Sequence, residues 1–149
     1  MNYWLFVTTP ANWDIIKKKR VVGIPKSRAG PFSKVSKGDK CLVYIKRERT
    51  ASKRSEPAIT GAFEVISTNY DDERIFHAPP TRPNETFPLR INLSGVTPAA
   101  NPIPFKPLLP QLSFIVDQKH WGRVLQGRAL FQIPKKDFET VTSALKTAS

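Results

Sequence analysis

Cysteine is almost absent: Cys41 is the only one among 149 residues. A lone thiol forms no internal disulfide and builds no cysteine-based zinc site, so the expected compartment is reducing and the expected location cytoplasmic. Histidine is nearly as scarce, with two residues. His77 and His120 lie far apart, with no HxxxH or CxxC pattern around them, so no metal and no other cofactor is expected. Gly23-Ile24-Pro25-Lys26 lacks the glycines of either the dinucleotide or the P-loop fingerprint. No apolar run approaches the ~18 residues of a membrane helix, and the N-terminus lacks the order of a signal peptide, so no membrane partner is expected. Acids are short as well, 12 Asp+Glu against 24 Lys+Arg, for a net charge of +12.

That excess is local. Residues 17–54 hold 14 of the basic residues and only Asp39 and Glu48 as acids, while the rest of the chain is balanced. A block of one sign can form one face, and its natural partner is a polyanion, in a cytosol mostly nucleic acid. The plainer alternative is a solvated, solubilising surface. Hydrophobic residues make up 40%, enough for the core of one domain over 1–149. Fourteen prolines favour short strands and loops over long helices.

Tyr3 to Thr8 (YWLFVT) has the aromatic and β-branched character of a buried strand. Thr9-Pro10 is a helix start, and that helix ends in Lys17-Lys18-Lys19-Arg20, cations that suit a C-terminal dipole. Val21 to Pro25 leads into a basic loop, Lys26 to Gly30, where glycines and prolines argue against helix. Lys37 to Lys40 is a turn, Cys41 to Lys46 a strand, and 46–57 an aperiodic polar loop. Ala58 to Ile66 is a strand with a bulge or close approach at Gly61. Residues 77–86 form a proline-rich loop, Phe87 to Leu93 alternates as a half-buried strand, and 97–110, with five prolines, is mostly irregular apart from one turn at Phe105–Leu109. Ala129 to Ile133 is a last strand. After Pro134, Phe138, Val141, Ala144 and Leu145 make the buried face of a final helix. Five or six short strands with helices at the edges predict an α+β fold, a small mixed sheet curled into a partly open barrel.

Little here resembles catalytic machinery. Cys41 lies in an apolar strand and is expected to be an inert thiol; a pairing with His120 has no support beyond geometric possibility. Asp71-Asp72-Glu73 is expected to be a solvated turn rather than an ion site. Most aromatics are core candidates, Trp13 among them. Trp121 follows a polar stretch and is also a candidate to stack a base.

Several ordered segments point further. Tyr3-Trp4-Leu5 is followed by a small hydroxyl, Thr8, before a short helix bearing Asn12-Trp13. Then come Gly23-Ile24-Pro25-Lys26, Lys37-Gly38-Asp39 leading into Val43-Tyr44, Gly61 to Val65, Leu112-Ser113-Phe114-Ile115, and Trp121-Gly122. In that order and spacing the chain resembles an EVE-domain protein of the small archaeal-type branch, in the PUA-like superfamily that also holds the YTH domains. The resemblance implies a PUA-like curved sheet and a pocket that takes one extruded, often modified, base of RNA or DNA. Carried over, Thr8, Val22, Gly23, Ile24, Pro25, Tyr44, Phe114 and Ile115 would bind the base, and Lys26, Arg28, Lys46 and Arg47 its flanking phosphates. Val22 stands where many relatives carry a tryptophan; a valine packs against a methyl group but does not stack a base.

The expected function is therefore a non-enzymatic nucleic-acid module. The alternatives are a protein-interaction module whose basic face docks an acidic partner, and an ASCH-like nuclease or hydrolase, for which no catalytic constellation is found. The sequence leaves open RNA against DNA, the identity of the base, and the oligomeric state.

Overall fold

The computed structural model describes residues 1–49, 54–119, 121–125 and 128–148. β1 (Tyr3–Thr8) runs into α1 (Pro10–Lys19), whose first turn is capped where the Thr9 hydroxyl accepts from the Asn12 amide at 3.3 Å. α1 ends on Arg20, which turns left-handed at φ 56°. Its amide donates to the Ile16 carbonyl and its own carbonyl accepts from Leu93, so the reversal into β2 (Val21–Ile24) is pinned at both ends.

The basic segment after β2 corrects the expectation of a loop. Lys26–Arg28 form a 3₁₀ turn and Ala29–Phe32 a one-turn helix, α2. Pro31 falls within the first turn of that helix, where no intrahelical N–H is needed, so it does not exclude helix there. β3 (Lys40–Ile45) follows the Lys37-Gly38 turn, with Gly38 at φ 92°. In the polar stretch beyond it β4 (Glu48–Arg49) pairs antiparallel with β5 (Arg54–Ser55).

β6 (Ala58–Tyr70) and β7 (Leu89–Pro104) are longer than their sequence patterns suggested. β7 continues through 97–104 in spite of Pro98, Pro102 and Pro104. Its outer neighbour β2 pairs with Leu89–Asn92, so among the described residues the 97–104 backbone forms a free edge and these prolines cost no outer ladder bond. The ladder with β6 shifts register between Ile59 and Gly61, the irregularity expected at that glycine. A 3₁₀ turn (Lys106–Gln111), the short α3 (Trp121–Leu125), β8 (Leu130–Gln132) and α4 (Lys135–Ala148) complete the described chain; α3 had no signal in the sequence pattern.

The six main strands order as β2-β7-β6-β3-β1-β8, with β1 parallel to β3 and the other pairs antiparallel. The sheet is curled. Val22 and Ile24 from one edge strand and Leu130 from the other join Trp4, Phe6, Val43 and Phe63 in a single buried cluster on the concave face, with Ile16 of α1. The convex face buries Leu5, Leu42, Tyr44 and Ile59 under Phe105, Leu109 and the α4 side chains Phe138, Val141 and Leu145. This is the expected mixed, half-barrel α+β architecture. Two buried carboxylates staple its ends. Asp39 accepts from the Trp4 indole and from the Asn2 and Ser36 amides, all at 3.0 Å. Asp137 accepts from the Ser113 amide and hydroxyl and the Phe114 amide. No described helix is long and apolar enough to cross a membrane.

Candidate functional site

Where the curled sheet leaves its edges apart, a cavity of about 510 Å³ opens between the end of β1, β2, the first turn of α1 and the segment 76–87. That volume lies within the range of small-molecule pockets. Thr8 stands in its wall. The residue is only 9% exposed, its carbonyl accepts from the Lys46 amide, and its hydroxyl has no hydrogen-bond partner among the described residues. A buried hydroxyl left without a partner is uncommon and costs stability, unless a ligand or water completes it.

The opposite wall is held from two sides. The Asn12 side chain clamps the backbone of His77, accepting from its amide at 2.6 Å and donating to its carbonyl at 3.1 Å. Arg90, 3% exposed, donates to the carbonyls of Phe87, Glu73 and Thr86 and lies over the Phe76 ring. Burial lowers its pKa, and the carboxylates of Asp71, Glu73 and Asp72 oppose that shift. Gly23 admits this wall: a Cβ there would sit 2.5 Å from Phe76 and 2.7 Å from Phe87. The two rings meet edge to face, at 82° and 5.9 Å, so they do not form parallel stacking walls. The lining carries Arg28, Lys46, Arg82 and Arg128 and, among the described residues, no acid.

Of the residues singled out from the sequence, Thr8, Val22, Gly23 and Pro25 line this cavity, with Arg28 and Lys46. Ile24 is 1% exposed within the concave core and does not line it. Tyr44, Phe114 and Ile115 lie elsewhere, in the convex cluster: Tyr44 packs edge-on against Phe105 at 4.9 Å and Phe114 against Phe131 at 5.6 Å. For Tyr44 strand alternation is the reason. In the parallel ladder Tyr44 stands opposite Val7, not Thr8, so the two side chains leave the sheet on opposite faces. Lys26 borders a shallower neighbouring cleft, its ammonium 5.5 Å from the ring of Tyr70, whose hydroxyl raises its pKa. Arg47 pairs with Glu56 at 3.2 Å, outside the lining.

The chemistry left over is sparse. Trp13 packs on Phe63 and Trp121 on Phe105, so both are occupied by the core; His120 lies outside the described residues. No group of metal-ligating side chains occurs among the described residues. Cys41 is fully buried, and burial pushes its thiol up, far from the thiolate needed for reactivity. It should therefore stay unmodified by a thiol reagent in the folded protein and react on addition of denaturant; rapid labelling of the native state would contradict this burial.

The EVE domain's family model matches residues 2–144. The chain belongs to the EVE-domain family. The UPF0310 protein of Pyrococcus abyssi is 38% identical over 97% of this chain and all of its own length. Among solved structures, human THYN1, crystallised with DNA containing 5-methylcytosine, superposes with a TM-score of 0.57 at 13% identity, covering 98% of each chain. The Mmi1 YTH domain gives 0.62 at 8% identity, over 99% of this chain and 89% of its own. At such identities these structures speak to the PUA-like fold alone. Within this EVE domain, sequence reasoning missed Asn12 as a clamp and Phe76, His77, Arg82, Phe87 and Arg128 as lining residues. Phe76, His77 and Arg82 sit in an aperiodic, proline-rich segment, Asn12 in the first turn of α1, Phe87 just before β7 and Arg128 just before β8, and only long-range contacts bring them to the cavity.

Proposed function

We propose that this EVE domain, acting as one unit over 1–149, takes a single base extruded from RNA or DNA into the cavity while the basic rim holds the flanking phosphates. The observation that carries the reading is the Thr8 hydroxyl, which among the described residues has no partner, in the wall of a cavity ringed by Arg28, Lys46, Arg82 and Arg128 and lined by no described acid. A hydroxyl both donates and accepts, so it can complete a hydrogen bond to a base edge. Val22, Ile16 and Phe76 supply apolar surface beside it, suited to a neutral methyl group by contact rather than by cation–π attraction. The 5-methylcytosine DNA in the human THYN1 complex makes that base the first modification to test.

The experiment is fluorescence anisotropy with short single- and double-stranded RNA and DNA, plain and methylated, at two salt concentrations. A tenfold or greater gain on methylation that survives high salt is expected. Thr8→Val should lower affinity for the preferred base about tenfold, the worth of one hydrogen bond, whether or not that base is methylated, and leave the salt slope intact. The reading fails if no oligonucleotide binds below about 100 μM at low salt, because non-specific binding alone reaches 10⁻⁴–10⁻⁶ M. Binding without preference would leave the basic face and remove the base pocket.

A further inference from the structure

Among the described residues the outer half of β6 is an unpaired sheet edge. β3 pairs with β6 only as far as Glu64, and the backbone of Val65 bonds to Gly38 and Asp39 of the turn before β3. Beyond that point Ile66-Ser67-Thr68-Asn69-Tyr70 has β7 on one side, and no backbone bond to it from the other side occurs among the described residues. Such an edge is normally guarded by lysine or proline. These five residues contain neither, and two of them, Ile66 at 47% and Tyr70 at 56%, are among the few large hydrophobic side chains exposed on the molecule.

The two ends of this edge carry opposite charge. The strand runs out into Asp71-Asp72-Glu73, all exposed. At its start lies the turn bearing Lys34, Lys37 and Lys40. Among the described residues none of these six groups is in an ion pair; Arg90 and Lys26 interact with the acids only at longer range.

We propose that a second copy of this chain docks along the β6 edge, antiparallel, about a two-fold axis near Thr68. That register is the one in which the edge complements itself. Ile66 of one copy meets Tyr70 of the other, and the same contact repeats across the axis. Asp71 to Glu73 of each copy abut the Lys34–Lys40 turn of its partner. Across the interface β2, β7 and β6 of one copy continue into β6, β7 and β2 of the other. The edge is short, so the interface falls at the small end of the range and the association is weak and reversible. It is independent of what the cavity binds.

Sedimentation velocity on the full, nuclease-treated chain, from about 5 to 500 μM, should show a monomer–dimer equilibrium that weakens at high salt. Asp72→Lys and Lys37→Glu should each weaken dimerisation at least about tenfold, since each places like charges together twice in the homodimer. Mixed one to one, the two variants should dimerise again, because a heterodimer restores both opposite-charge contacts. Thr68→Pro, with an unchanged circular dichroism spectrum, should abolish the dimer. A wild type monomeric throughout the range overturns the proposal, as would a dimer indifferent to Asp72→Lys or a mixture no more associated than its components. Capture of an extended peptide by a monomeric chain would assign the edge to another partner and equally overturn it.

Discussion

Exchanging Arg90 for methionine should lower stability by about 3 kcal/mol, because one charged donor is removed from three backbone carbonyls at once. For a chain of this size that is a fall in melting temperature on the order of 10 °C. The effect is large because Arg90 ties β7 to carbonyls at both ends of the cavity wall, at Glu73 and at Thr86 and Phe87. Phe87 adds to it. The residue has φ 51°, a left-handed conformation that a phenylalanine rarely adopts, and it is held there by the Arg90 bond to its carbonyl at 2.6 Å and by Glu85, which accepts from its amide at 2.9 Å. Without Arg90 the strain has less to oppose it, and the wall should detach before the sheet melts. Limited proteolysis within 73–87 under native conditions should therefore rise more than the loss of global stability accounts for. Arg90→Lys should recover only part of the loss, since an ammonium lacks the planar fork that reaches three acceptors. A methionine variant that melts with the wild type would remove Arg90 from this role.

The elements legible in the sequence were those that carry their own local signal. β1 is bounded by aromatic and β-branched residues and then by a threonine cap with proline, and the structure begins and ends it at those residues. α4 has its apolar spacing, and Phe138, Val141 and Leu145 are buried accordingly. The far half of β7 was not legible, because proline content outweighs strand propensity until one knows that β2 does not extend along its outer side. A short helix containing Gly30 and Pro31 was hidden by the same composition argument.

The site was half legible. Family-like segments led to Thr8, Val22, Gly23 and Pro25, and these do meet at one cavity. They also led to Tyr44, Phe114 and Ile115, which share a cluster on the other side of the sheet. A motif fixes which residues stand together in sequence. For Tyr44 the face depends on the register between strands, set by the Ser36–Asp39 turn and the Asp39 bonds to Asn2, Trp4 and Ser36, and Phe114 and Ile115 are placed by the Asp137 bonds to Ser113 and Phe114. The remaining wall, 76–87, has no period to read. Its place depends on Asn12 and Arg90, each a polar side chain spent on a distant backbone.

Reversing charge at Lys46 and Arg128 together should reduce affinity for every oligonucleotide by about tenfold to a hundredfold at low salt. The salt slope should flatten by roughly one for each phosphate no longer neutralised. These two positions are chosen on geometry. Both line the cavity, Lys46 directly after the β3 strand and Arg128 just before β8, so they flank the gap between the sheet edges. Neither is in an ion pair among the described residues, whereas Arg82 is shared with Glu85 at 3.6 Å and Arg47 with Glu56. Arg47→Ala is therefore the control. It lies in the same basic block of sequence, so a mechanism that depended on net charge alone would weaken with it as with Lys46. Under the cavity reading it should change affinity less than about twofold, as a solvated surface pair contributes little. The rim and the floor should also separate from each other: charge reversal acts on all sequences alike, while Thr8→Val acts on the preferred base. Rim and floor variants with equal, sequence-blind effects would mean that the basic face binds and the cavity does not.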